Sequence, residues 1–170
     1  AWTAKTAIEL IEACTLDQPL FLKISFARPH SPYDPPERFV RLYDDVEIPR
    51  PIRSPWGERF ARREQPETSD ACYGDFGDSV ALRARKYYYA SISFIDYEIG
   101  RIIEALKRKG IYDDALIIFL SDHGDMLGDH NHWRKTYPYE GSAHVPFLVR
   151  LPRAMRETLG GVNERRQQVV

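Results

Sequence analysis

The chain has 170 residues, 43% of them apolar and 29% charged, which suffices for one ordinary domain with a hydrophobic core and is unlike a disordered polypeptide. A formal net charge of −1 supplies no basic field for nucleic acid or an anionic membrane surface, and no apolar run is long enough to span a bilayer. The two cysteines, Cys14 and Cys72, are too few for a disulfide framework and fit no metal motif, so the redox compartment stays open.

No signal-peptide pattern opens the chain. "AWTAKTAIELIEA" reads instead as the middle of a helix, and the closing "ERRQQVV" reads as the start of an apolar segment, so a fragment of a longer protein is expected. Residues 3–14 place Ala4, Ala7, Ile8 and Ile11 at helical spacing, which predicts an amphipathic helix packed on a sheet. "PLFLKISF" (19–26) alternates, with Leu20, Leu22, Ile24 and Phe26 on one face and Lys23 and Ser25 on the other, and predicts a strand. It ends at "ARPHSPYDPP", whose four prolines forbid regular pairing.

A short helix is expected over "PERFVRLY". From Asp44 to about Ser79 the chain is rich in Pro, Arg and Glu without a clear period, an irregular insertion over 44–79 that is either a solvated excursion or functional. Residues 81–109 are the clearest helix: Tyr88, Ile92, Ile95, Ile99, Ile102 and Leu106 form one apolar stripe, and "KRKG" ends it with cations and a glycine stop. Asp96 on this helix is read as a surface residue. "ALIIFLS" (115–121) suits a strand buried on both faces, and "VPFLVRLP" (145–152) is a further strand candidate. This alternation implies an α/β architecture with a mixed, largely parallel sheet flanked by helices.

In open α/β sheets, ligands bind beyond the carboxyl ends of the strands. Here Phe26 leads to His30 and Leu120 leads to Asp122-His123, so two histidine-bearing loops are expected at one sheet edge. A carboxylate and an imidazole side by side suit Ca²⁺, Mn²⁺ or Mg²⁺ with further ligands from elsewhere, or else a strand-end Asp caps the turn and the His bonds to backbone. Gly124 follows and permits a tight turn. His130 and His132 form an H-x-H pair, but without a cysteine or an HExxH helix zinc is the weaker reading. Lys135 near a metal would neutralise an anion held by that metal, or it is an ordinary surface lysine.

"FLKISFARPHSPYDPP", "YYYASISFIDYEIGRIIEALKRKGIYDDALIIFLSDHGDMLGDH" and "HWRKTYPYEGSAHVPFLVRLP" resemble the C-terminal part of the catalytic domain of type I sulfatases, in the alkaline phosphatase-like superfamily. The D-H-G form resembles the iduronate-sulfatase and choline-sulfatase branches. The resemblance implies a partial catalytic domain over residues 1–170 that lacks the N-terminal, nucleophile-bearing part. It implies a sulfuric ester hydrolase with a sulfated sugar or other small sulfate ester as substrate. Asp122 and His123 would be ligands of a divalent cation, calcium in most such enzymes. Lys135 would contact sulfate, and His30 would protonate the departing alcohol. His130, His132 and Arg134 would border the pocket as substrate contacts or lie at the surface, while Glu140 and His144 are read as structural.

The family's nucleophile, a formylglycine made in a C/S-x-P-x-R motif, has no counterpart in these residues, so the fragment alone is expected to be inactive. Alternatives are a phosphonate monoester or phosphodiester hydrolase of the same superfamily, or a non-catalytic anion- or metal-binding relative. Neither nucleic acid nor membrane is expected as a partner. The sequence leaves the oligomeric state unknown, and an exported or lysosomal location is implied by the family only.

Overall fold

The computed structural model describes residues 2–62 and 71–159. Helix α1 (Trp2–Ala13) buries Ala4, Ala7 and Ile11. These meet Ile102 and Ala105 of the long helix α3 (Asp78–Arg108), and Ile8, Leu22, Ile24, Phe26, Leu106 and Ile111 pack around that cluster. Alanines at the contact let the two helix backbones approach closely. Ile11, with no exposed surface, contributes roughly 1.5–3 kcal/mol through its burial.

The expected platform for α1 is therefore different: α1 lies on α3 and on the extended segment 20–26, not on a sheet. That segment alternates as predicted, with Leu22, Ile24 and Phe26 half-buried and Phe21, Lys23 and Ser25 exposed. It pairs with no strand among the described residues. Alternation specifies which side packs, whereas a strand also needs a hydrogen-bonding neighbour.

Helix α2 (Glu37–Val40) and a 3₁₀ turn (Arg41–Tyr43) lie against the middle of α3. Phe39 meets Phe94 with ring centroids 5.2 Å apart, and Tyr43 Oη bonds Ser93 Oγ at 2.7 Å. The buried face of α3 runs through Ala81, Arg85, Ser91, Ile95, Glu98, Ile102 and Ala105. Ile92, expected in the stripe, is 44% exposed at its edge. The helix ends as the KRKG signal requires: Gly110 has φ +77°, its N–H reaches Lys107 O, and the Ile111 N–H reaches Leu106 O. Ile111 then folds back onto the α1–α3 cluster.

Strands β1 (Ile117–Leu120) and β2 (Phe147–Arg150) pair antiparallel, with Ile117 opposite Arg150 and Leu120 opposite Phe147. The sheet of the described residues is this two-stranded antiparallel ribbon, which corrects the expectation of a largely parallel sheet. An apolar run encodes burial but carries no information on strand direction. Burial on both faces is not observed either, since Ile118, Phe119, Leu120, Phe147, Leu148 and Val149 are all exposed. The short helices α4 (Glu140–Ala143) and α5 (Arg153–Leu159) flank β2 in sequence. No helix of the described residues is long and apolar enough to cross a membrane.

Candidate active site

The register of the ribbon puts the carboxyl end of β1 beside the start of β2, and the chain leaves β1 directly into Ser121-Asp122-His123. Gly124 then presses against helix α4. Its N–H donates to Ser142 O at 2.8 Å, and a Cβ there would run into the Gly141 carbonyl oxygen. Its φ lies outside the left-handed region, so close backbone approach, and not turn handedness, is what requires glycine here.

His123 Nδ1 lies 2.7 Å from Gly124 O. A carbonyl only accepts, so Nδ1 carries the proton and the Nε2 lone pair is left available. Asp122 Oδ2 is 3.9 Å from that Nε2, and its side chain is 88% exposed. This separation is too long for a hydrogen bond and matches the spacing of neighbouring ligands around a cation whose bonds are about 2.3–2.6 Å. The donor set, one carboxylate oxygen and one imidazole nitrogen, fits a hard or borderline divalent ion. Among the described residues no group of three or more His, Cys, Asp or Glu side chains is arranged to hold one.

His30 arrives from the other loop. Its ring meets that of His123 edge-on, with centroids 5.8 Å apart. His30 Nδ1 donates to Ser31 O at 2.8 Å, and Lys135 Nζ donates to His30 Nε2 at 3.1 Å. Asp122, His123, His30 and Lys135 are thus brought side by side. The two loops meet there although the segment before His30 joins no ladder.

The 30-loop is held at both ends. Arg28 forms a bidentate ion pair with Asp34, which holds the Asp34 carboxyl below the usual carboxylate range. Tyr33 Oη donates to Asp125 Oδ2 at 2.6 Å. Asp125 Oδ1 also accepts the N–H groups of Leu127 and Arg134, each at 3.0 Å.

Lys135 stands in a loop of unusual backbone, with Leu127, His130, Asn131, Arg134 and Thr136 all at positive φ. Such residues cost of order 1 kcal/mol or more each and persist where the surroundings over-determine them. Here the surroundings do so. Buried Arg85 of α3 pairs with Asp129 and donates to Leu127 O at 3.1 Å, and Asp129 accepts the Ile52 N–H at 2.7 Å. His130 N–H bonds Ile52 O at 2.7 Å, and buried Asn131 donates to Gly57 O at 3.0 Å. The Gly74 N–H reaches Asn131 O, the Trp133 N–H reaches Cys72 O, and Tyr73 bridges to His132.

The H-x-H pair is absorbed into this packing. His130 is stacked on Trp56 at 4.5 Å with Nδ1 on Ser54 Oγ. His132 is 2% exposed, with Nδ1 on His130 O and its ring against Phe60 and Tyr137, each 4.4 Å away. Burial encloses the His132 imidazole among aromatic rings. Arg134 is half-buried, with its N–H on Asp125. Glu140 and His144 form an exposed i,i+4 pair at 2.7 Å.

Burial pulls the His132 imidazole below its ordinary value near 6.5. A depressed histidine contributes stability that is full above the unfolded value and lost as pH falls through the folded one. Chemical denaturation between pH 7.5 and 5 should therefore show a shallower fall in stability for His132→Gln than for the wild type. The difference is at most about 1.4 kcal/mol per pH unit, and equal slopes would contradict it.

Tyr33, Asp125, Arg85 and Asp129 were not singled out in the sequence. Arg85 left a signal: it lies four residues after Ala81 on the buried face of α3, and a guanidinium there demands a partner.

A sulfatase family model matches residues 2–170. The chain belongs to the sulfatase family. This sulfatase chain is 39% identical over 148 residues to the arylsulfatase of Clostridium perfringens, covering 87% of itself and 31% of that protein. It is 36% identical over 143 residues to the choline-sulfatase of Rhizobium meliloti, covering 79% of itself and 27% of that protein. Among solved structures, the phosphonate monoester hydrolase of Agrobacterium radiobacter superposes with a TM-score of 0.73 at 31% identity, over 88% of this chain and 32% of that one. The fold is thus alkaline phosphatase-like, and the sulfatase chain spans less than a third of the length of these curated relatives.

Proposed function

We propose that these residues form the cation- and leaving-group-facing side of a sulfuric ester hydrolase site that takes the sulfate ester of a sugar or other small alcohol. The carrying observation is the chain of contacts that joins Lys135 to His30, His30 to His123 and His123 to Asp122, and family membership supports it. Asp122 and His123 would hold a divalent cation, calcium or else manganese or magnesium, and such an ion supplies Lewis-acid stabilisation of a sulfuryl oxygen.

Lys135 adds a fixed positive charge for the same anion. Its loop geometry is already set. His30 stands next to Lys135, where the ester oxygen of a sulfate held by the lysine would lie, and Nε2, which here accepts from Lys135, would give a proton to the departing alcohol from the imidazolium form. No C/S-x-P-x-R pentad occurs in the 170 residues, so the nucleophile and the other cation ligands come from elsewhere in the protein, and the isolated fragment does not turn over. Arg134 and His130 border the cleft as candidate substrate contacts, with His132 supporting them from beneath.

The resemblance to a phosphonate monoester hydrolase keeps a second reading open, hydrolysis of phosphonate monoesters or phosphodiesters. Assay of the full-length protein on sulfate esters and phosphonate monoesters separates the two by relative kcat/KM, and inactivity on both would favour a non-catalytic anion-binding relative. Lys135→Ala should lower kcat/KM for sulfate esters by about 10²–10³-fold. Wild-type kinetics in that variant would remove the sulfate contact from the scheme.

A further inference from the structure

We propose that Tyr33 and Asp125 are a positioning pair that sets His30 against the leaving-group side of the cleft. This rests on the sulfate ester hydrolase reading. One carboxylate joins all three segments of the site. Asp125 is two residues from His123, its Oδ1 holds the N–H of Arg134 next to Lys135, and its Oδ2 receives the hydroxyl of Tyr33, three residues from His30.

The arrangement is built to be stiff. Asp125 Oδ1 also closes a local turn through the Leu127 N–H, so the carboxylate is oriented before Tyr33 reaches it. The Tyr33 ring is half-buried edge-on against Tyr88 of α3, with centroids 5.8 Å apart, which leaves the phenol little freedom to swing away. Burial and then the nearby Asp125 carboxylate raise the Tyr33 phenol above its ordinary value, so it stays protonated and donates at any working pH. The two ends of the 30-loop are joined by the Arg28–Asp34 pair, and with Tyr33 pinned the exposed His30 sits in a loop tied at two points.

Neither Tyr33 nor Asp125 reaches the reacting atoms in this scheme. Their effect passes through the position of the imidazole, and misplacement by about 1 Å costs on the order of 10²-fold in rate. Loss of the Tyr33 hydroxyl should therefore act on kcat where proton donation is needed, and leave anion binding by Lys135 alone.

The test is Tyr33→Phe in the full-length protein, with sugar or alkyl sulfates compared against activated aryl sulfates. Expected is a fall of about 10- to 10²-fold in kcat on the alkyl substrates with KM unchanged, and a clearly smaller loss on aryl ones. Placed in a His30→Ala background, Tyr33→Phe should cost nothing further. Asp125→Asn, which keeps an oxygen for the Leu127 and Arg134 N–H groups, should retain more activity than Asp125→Ala.

Equal losses on both substrate classes, or full additivity with His30→Ala, would overturn the proposal while leaving sulfate ester hydrolysis intact. Hydrogen exchange on the same variants reads the tie without turnover. Tyr33→Phe should speed exchange in 28–34 and spare 124–135, whereas Asp125→Ala should speed both. Unchanged exchange in 28–34 would refute the coupling, and coupled exchange in a protein inactive on every sulfate ester would refute the function and keep the tie.

Discussion

Asp122→Ala in the full-length protein should weaken cation binding by at least about 10²-fold and reduce turnover of sulfate esters to near background. Even removing a partner that only orients a metal ligand costs about 10–100-fold in affinity, and Asp122 is proposed as a ligand itself. The side chain is exposed and among the described residues accepts a hydrogen bond from the neighbouring His123 N–H, at 3.1 Å, so the loss would not come from unfolding. Metal content by elemental analysis and Tm with and without added calcium check this directly. The wild type should gain Tm with cation and the variant should not. Unchanged metal content with unchanged turnover would remove Asp122 from the ligand set.

His30→Ala should lower kcat on sugar or alkyl sulfates by about 10²–10⁴-fold, the usual range for a positioned proton donor. An alkoxide leaves poorly without a proton, whereas an activated phenolate leaves without help, so aryl sulfates should lose much less. His30 is exposed and its bonds are to Ser31 O and Lys135 Nζ, so folding should survive the change. A loss of the same size on both substrate classes would exclude the acid role and point to anion binding, since the Lys135–His30 hydrogen bond would also be gone.

Local signals carried far in this chain. Helix α3 was legible because its apolar spacing persists for many turns and because Lys109-Gly110 encodes the cap that forms. Asp122, His123, His30 and Lys135 were legible as chemistry-bearing types in a familiar order, and their meeting in one cleft is a matter of geometry that order alone does not supply. The antiparallel direction of β2 relative to β1 was not legible, because composition is blind to direction. His132 shows the opposite limit. Its spacing from His130 suggested an outward-facing pair, yet Phe60 and Tyr137 enclose it, and that enclosure depends on residues from distant parts of the chain. The Tyr33–Asp125 bond joins positions 92 residues apart and left no local trace.

The irregular segment from Asp44 onward is fastened to the 129–133 loop by main-chain groups at Ile52, Gly57, Cys72 and Gly74 and by the side chains of Arg53, Ser54, Trp56 and Phe60. Peptide N–H and C=O groups are the same whatever residue bears them. The main-chain share of this fastening therefore survives a change of side chain at Ile52 or Cys72, whereas the share carried by Trp56 and Phe60 does not.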